Sequence, residues 1–309
     1  MKRLVPEIIF DVVQSVPDRV ALEINIATSR LDVNHSATAT FRWTYAELGA
    51  YAESQAEFIR ASLTTPHTPI FIWADKSFEM YGTVLASWLL RCPFVPIYPR
   101  LPKKRIIELM KKLGGGVIVG DSTTFPLEAS ELERCSTHLI EYKQSSTAQV
   151  STAELEHSQC PEDLAYIIFT SGSTGVPKAV SITHGNLIEF YNASKKCWDF
   201  NLEDRFTQIY ELSFDPAIAD IVWAFSNGAT LLPFSSLNLP GLPHYLKTLK
   251  PTVVGMAPSI AHMLLSSGSF NGHTFPEIRI SAFIGEILTQ NLTATWAKLA
   301  PNSWIENHY

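Results

Sequence analysis

The sequence predicts an α/β fold in which two halves each carry a mainly parallel β-sheet covered by helices. Three observations carry that expectation. Short apolar, β-branched runs alternate with segments of helical periodicity along most of the chain, which is the rhythm of βαβ units. The 309 residues are 46% hydrophobic and only 17% charged, enough apolar material for one large core or two coupled ones. No self-similarity of solenoid period is visible, so the alternation belongs to a layered core rather than an array.

Taken in order, FRWTYAELGAYAESQAEFIRASL carries a capping box, Thr44 with Glu47, ahead of apolar positions at helical spacing, and predicts a helix. PIFIWA then reads as a strand, KSFEMYGTVLASWLL as a helix, FVPIY as a strand, PKKRIIELMKKLG as a helix and GGVIVG as a strand. After HLIEY comes KQSSTAQVSTAELEHSQCPED, polar and short of aromatics, which reads as a surface connection. It divides the chain into residues 1–160 and 161–309. The second half offers strands at AYIIF, KAVSIT, FTQIY, ATLLPF, TVVGMA, RISAFIG and SWIE, with helices starting near His184, Ala217, Leu242, Pro258 and Thr289.

Composition removes several function classes. The net charge of −6 and the lack of a Lys/Arg stripe leave no electrostatic footprint for nucleic acid. Cys92, Cys135, Cys160 and Cys197 lie far apart, which argues against a disulfide framework or a metal site and for a reducing, cytoplasmic setting. At the start, MKRLVPEIIFDVV is interrupted by Pro6, Glu7 and Asp11 and does not read as a secretory signal. The longest apolar stretch, YGTVLASWLLRCPFVPIYP, is cut by Arg91, Pro93 and Pro96 and is too broken to span a membrane.

The segment YIIFTSGSTGVPKAVSITHGNL concentrates the chemistry. Its glycines match neither the Walker pattern nor the dinucleotide fingerprint. KAVSIT alternates like a strand, so the loop before it bridges two strands instead of opening a helix. Backbone N–H groups freed by Gly172 and Gly175, hydroxyls from Thr170, Ser171, Ser173 and Thr174, and the ammonium of Lys178 make a surface suited to a polyphosphate. A plain surface hairpin is the competing reading of the same composition.

YIIFTSGSTGVPKAV resembles the phosphate loop of the adenylate-forming (AMP-binding) superfamily, which includes acyl-CoA synthetases and the amino-acid adenylation domains of nonribosomal peptide synthetases. Other segments fall in the family's order. WTYAEL is similar to its Thr-Tyr-x-Glu-Leu motif, CPFVPIYPRLPKKRI to its Tyr-Val-Pro-Leu-Asp-Pro stretch, SFDPAIADI to Phe-Asp-x-Ser, IGEILTQ to Gly-Gly-Glu-x-Leu, and NHY to the start of Asn-x-Tyr-Gly-Pro-Thr-Glu. The resemblance implies two stacked, helix-covered, mainly parallel sheets forming most of a large N-terminal domain. It also implies ATP-dependent activation of a carboxylic acid as an acyl-adenylate, with Mg2+, and transfer of the acyl group to a thiol, that of a carrier protein in the adenylation-domain case.

By the same resemblance Thr170, Ser171, Gly172, Ser173, Thr174, Gly175 and Lys178 match phosphate contacts, while Gly285, Glu286, Asn307 and Tyr309 match the adenine region. Asp215 stands where amino-acid activators place the carboxylate that pairs with the substrate ammonium, and Pro216, Ala219, Gly255, Ala282, Ile284 and His308 match the remaining pocket positions. Asp before Pro is also a common turn opener, and Ala217 departs from the family's usual Ser. The family's metal-binding acid, ribose anchor and mobile lid with its lysine fall past Tyr309. The expectation is therefore a truncated chain with no metal site or certain catalytic residue of its own, inactive alone, whose parent activates an amino acid. An acyl-CoA synthetase-like acid ligase and a non-catalytic nucleotide-binding remnant are the alternatives.

Overall fold

The computed structural model describes residues 3–27, 38–143, 160–170, 177–268, 270 and 272–308. From the N-terminus, α1 (Val5–Ser15) leads to β1 (Val20–Ala27), β2 (Thr38–Thr44) and α2 (Tyr45–Arg60). There follow β3 (Ile70–Trp73), α3 (Phe78–Leu89), β4 (Phe94–Ile97), α4 (Lys103–Leu113), β5 (Gly116–Gly120), α5 (Ala129–Glu133) and β6 (Thr137–Ile140). Next are β7 (Leu164–Thr170), β8 (Lys178–Thr183), α6 (His184–Cys197), β9 (Arg205–Gln208), α7 (Asp215–Ser226) and β10 (Thr230–Pro233). The chain continues through a 3-10 turn (Ser236–Gly241), α8 (Leu242–Leu249), β11 (Val253–Met256), α9 (Pro258–Ser266), β12 (Ile280–Ile284), α10 (Gln290–Leu299) and β13 (Trp304–His308).

Two compact units result, Met1–Asp18 with Tyr45–Asp199, and Arg19–Thr44 with Phe200–Tyr309. The first holds a six-stranded sheet in the order β6-β5-β3-β4-β7-β8, parallel except for the β7–β8 hairpin. Strands β3, β4 and β5 are buried at every position, as strands covered on both faces must be, and this is why IFIW, FVPI and GVIVG are continuous apolar runs. Helix α3 starts where the Ser77 hydroxyl accepts the Met80 amide at 3.3 Å, and all of its residues but Glu79 are buried. Trp88 shows how the core closes: its indole N–H donates to the Ala165 carbonyl at 3.0 Å while its ring meets Phe94. Burying a large side chain in this way contributes about 1.5–3 kcal/mol.

The second unit holds a seven-stranded sheet in the order β13-β12-β11-β9-β10-β1-β2, parallel except for β1–β2. Its core gathers Leu246, Met256, Phe283 and Trp296 among others. At the N-terminal ends of its strands, buried Asp204 takes the Arg279 guanidinium on both oxygens, the Thr252 hydroxyl at 2.7 Å and the Asn201 amide at 2.9 Å. Buried Glu23 is matched by Arg42 at 3.1 Å and Arg205 at 3.2 Å. Asp204 and Glu23 each meet a guanidinium, the condition under which such burial is tolerated.

The structure departs from the sequence reading in places. FRWT belongs to strand β2, because Phe41 to Thr44 continue the antiparallel register with β1, and the helix starts at Tyr45, directly after the Thr44 cap position of the sequence reading. Helix α7 starts at Asp215 rather than near Ala217, since Pro216 has its fixed φ in the first turn, where no amide is needed. The units also divide differently from 1–160 and 161–309. Strands β7 and β8 join β4 in the first unit, and residues 19–44 join the second unit's sheet. Among the described residues no helix is long and apolar enough to cross a membrane.

Candidate nucleotide and acid site

In the first unit, β7 and β8 form the stem of the hydroxyl-rich loop. Their antiparallel register sets Thr170 opposite Lys178, both exposed, at the mouth of the hairpin. Ser171, Gly172, Ser173, Thr174 and Gly175 lie outside the described residues. The stem is braced from α4: the Lys112 ammonium donates to the Pro177 carbonyl at 2.5 Å, one residue before Lys178. At the other end of β8 the Thr183 hydroxyl accepts the Asn186 amide at 3.1 Å and starts α6. Lys178 thus sits exposed at the start of β8, one residue past the braced Pro177.

In the second unit the carboxyl ends of β9, β11, β12 and β13 carry the remaining candidates, the position at which parallel sheets bind ligands. Asp215 is exposed in the first turn of α7, where the helix dipole favours a carboxylate. Pro216 and Ala219 are half-buried on the same helix. Gly255 is buried on β11 and donates its amide to the Thr207 hydroxyl at 3.0 Å. It pairs with Ala282 on β12, while Ile284 pairs with His308 on β13. Side chains paired across parallel strands share a face, so Gly255, Ala282, Ile284 and His308 form one row. A side chain at Gly255 would reach toward buried Asp220, whose Oδ1 lies 3.6 Å from the position of an added Cβ. The row is therefore shallow by composition: a glycine and an alanine leave volume where larger residues would fill it.

The loop after β12 is pinned on two sides. Tyr210 donates its phenol to the Ile284 carbonyl at 2.9 Å. Burial pushes that phenol up, and the charges of Asp220 and Glu286 add to the shift, so Tyr210 stays a protonated donor at physiological pH. The Glu286 carboxylate accepts both the amide and the hydroxyl of Ser259, each at 2.8 Å, at the start of α9. Gly285 has φ +92 and no heavy atom within 4 Å of an added Cβ. The left-handed backbone by itself favours a glycine there. Asn307 is exposed near the end of β13, and Tyr309 lies outside the described residues.

Asp220, Tyr210, Ser259 and Glu306 are the site's neighbours that sequence reasoning passed over. An acid inside the apolar run of DPAIADIVWAFS was the one available signal for Asp220. Tyr210 and Ser259 act through tertiary hydrogen bonds that no local pattern announces, while Glu306 bonds His308 two residues further along β13.

Comparison with known proteins now bears on this geometry. The model of the AMP-binding enzyme family matches residues 10–309, and the chain belongs to that family. It is 28% identical over 282 residues to the D-alanine--D-alanyl carrier protein ligase of Lactiplantibacillus plantarum, covering 86% of this chain and 52% of that protein. Syringomycin synthase SyrB1 of Pseudomonas syringae pv. syringae is 26% identical, over 82% of this chain and 41% of its own length. The chain thus spans about half the length of these relatives. Among solved structures, the nonribosomal peptide synthetase FmoA3 in its AMPPNP-bound form superposes with a TM-score of 0.81 at 20% identity, over 98% of this chain and 31% of that one. The Klebsiella oxytoca NpsA N-terminal subdomain in complex with 3-hydroxyanthranilyl-AMSN gives 0.77 at 21% identity, over 99% and 73%. At such identities the superpositions establish the fold: two mixed, mostly parallel sheets of the adenylate-forming type.

Proposed function

We propose that the protein carrying this chain uses ATP to activate an amino acid as its acyl-adenylate, for transfer to the thiol of a carrier protein. The observation that carries the reading is Asp215, an exposed carboxylate in the first turn of α7, the helix that follows β9, in the same unit as the row of small residues Gly255 and Ala282. Attack of the substrate carboxylate on the α-phosphorus forms the acyl–phosphate bond and expels pyrophosphate. The chain's own residues serve that step by position and charge. Lys178 and Thr170, with Ser171, Gly172, Ser173, Thr174 and Gly175, hold the phosphates, and donors fixed there offset charge on the leaving group. Asn307, with Gly285, Glu286 and Tyr309, borders the base. Asp215 takes the substrate's ammonium, and Pro216, Ala219, Gly255, Ala282, Ile284 and His308 bound its side chain.

The fit of the nucleotide to these residues rests on an exposed ammonium and hydroxyl facing each other across the hairpin stem. Magnesium neutralises the polyphosphate in such reactions; no group of three or more His, Cys, Asp or Glu among the described residues could hold a metal ion. The carrier-protein acceptor is supported by relatives named as carrier-protein ligases.

The test is ATP–pyrophosphate exchange with an amino acid and its des-amino analogue, in the native protein and in Asp215→Ala. The native protein should favour the amino acid by about 2 kcal/mol, roughly thirtyfold, because a bound acid covers the otherwise exposed carboxylate and the des-amino analogue leaves it unmatched. The variant should lose that preference. Equal exchange with the des-amino acid in the native protein would transfer the reading to an acid ligase.

A further inference from the structure

We propose that Lys112, in the last turn of α4, is a positioning residue for Lys178: by holding the Pro177 carbonyl it fixes the peptide plane from which Lys178 is presented to the phosphates of a nucleoside triphosphate. The inference rests on the proposed phosphate site, and it adds to that reading a residue 65 positions away from the hairpin that carries it.

Pro177 directly precedes β8 and is buried. A proline has no backbone N–H, so its carbonyl is the one main-chain group through which a hydrogen bond can hold it. That carbonyl accepts the Lys112 ammonium at 2.5 Å. The peptide unit joining Pro177 to Lys178 is planar and trans, so the Lys178 N–H is directed opposite to the carbonyl that Lys112 holds. Fixing one end of this plane fixes the other. Along the chain, buried Pro177 and half-buried Ala179 alternate with exposed Lys178 and Val180, which is the period of a strand with one covered face.

The anchor is itself held by the core. Ile106 and Met110 of α4 share a buried cluster with Ile167 of β7, and Ala179 of β8 and Leu113 of α4 pack against it. Helix and hairpin therefore move as one body, and the helix C-terminus is where its dipole favours a cation such as Lys112. The strand needs such a brace. β8 is the outermost strand of its sheet, paired only with β7, so its first residues have ladder partners on one side alone. Strand ends of this kind open more readily than the centre of a sheet. A tether that orders Lys178 before the nucleotide arrives lowers the ordering cost of binding, and the gain appears as affinity for the polyphosphate and not for the acid.

Calorimetric titration of the full-length protein with magnesium ATP, and with a non-hydrolysable analogue, reads the effect apart from turnover. Lys112→Met should raise the Kd about fivefold, the size of one net hydrogen bond. Lys112→Arg, which keeps a charged donor, should restore most of the affinity. Lys111→Met removes the same charge from the exposed neighbouring position and should leave the Kd within about twofold of the native value. Lys112 is exposed, so the Tm without nucleotide should be the same in all of these proteins. In ATP–pyrophosphate exchange the loss in Lys112→Met should fall on the KM for ATP, with the KM for the acid unchanged. A Kd unchanged in Lys112→Met, beside a weakened Lys178→Ala, overturns the proposal and leaves the phosphate site standing. Equal losses in Lys111→Met and Lys112→Met also overturn it, because general charge and not the held carbonyl would then be responsible. If Lys178→Ala binds the nucleotide as the native protein does, the phosphate reading fails and the inference goes with it.

Discussion

His184 shows how a single side chain can be structural and still govern behaviour. It begins α6, is wholly buried, packs edge-on to Trp88, and neither ring nitrogen has a hydrogen-bond partner among the described residues. Burial pushes its pKa from 6.5 down to about 4, with Asp163 pulling it up and Arg91 down. The unfolded chain takes up the proton near 6.5, whereas the folded one resists until about 4, so the unfolded state holds more protons between those values. Stability therefore rises with pH across that window: the full contribution is present above 6.5 and is lost as pH falls toward 4. The depressed value corresponds to about 3 kcal/mol. Urea midpoints measured at pH 7 and pH 4.5 should fall more steeply for the native protein than for His184→Leu; parallel curves would refute it. The sequence reading already placed a helix start near His184, directly after the alternating strand KAVSIT. What the sequence did not disclose is that both nitrogens go unmatched, since that depends on Trp88, nearly a hundred positions earlier.

At the scale of elements, the strands were the most legible part. PIFIWA, GGVIVG, AYIIF and TVVGMA lie over observed strands because strands buried on both faces need unbroken apolar runs, and KAVSIT lies over the exposed edge strand β8 because its residues alternate. Strand β1, helix α1 and helix α5 were not read. Helix α1 hides in a stretch weighed only as a leader, and β1 gains its place from partners β10 and β2 rather than from its own pattern. The turn from α4 into β5 illustrates a constraint visible only in three dimensions. Gly115 has φ +96, and an added Cβ would stand 2.2 Å from the Ser136 carbonyl oxygen and 2.7 Å from that of Cys135. Both neighbours are backbone and cannot swing aside. Gly115→Ala should cost roughly 1–3 kcal/mol, combining left-handed strain with overpacking. Chemical denaturation will show this as a lower midpoint at unchanged slope; an unchanged midpoint would mean the turn can relax.

For the molecule as a whole, nucleotide binding should register as stability. A ligand that binds only the folded state adds about 2.7 kcal/mol when present at a hundred times its Kd. Titrating ATP with magnesium should therefore raise the Tm of the native protein by several degrees, and Lys178→Ala should blunt that rise without changing the Tm in the absence of ATP, since Lys178 is exposed at the end of β8. A native protein whose Tm ignores ATP would count against the proposed phosphate site.

The sequence by itself determined the α/β class, most strands, the helix starts at His184, Leu242 and Pro258, and the hairpin that carries Lys178, because each is written in short-range periodicity, turn residues or a compact motif. Tertiary structure alone decided the rest. Strand pairing carries residues 19–44 across the sequence into the sheet of the second unit and holds β7 and β8 in the first. It also aligned Gly255, Ala282, Ile284 and His308 in one row and brought Ser259 and Tyr210 into contact with candidate site residues or their backbone. Hydrogen bonds between residues distant in sequence depend on register and on which face a side chain takes. Local pattern constrains those only after the strands have found their neighbours.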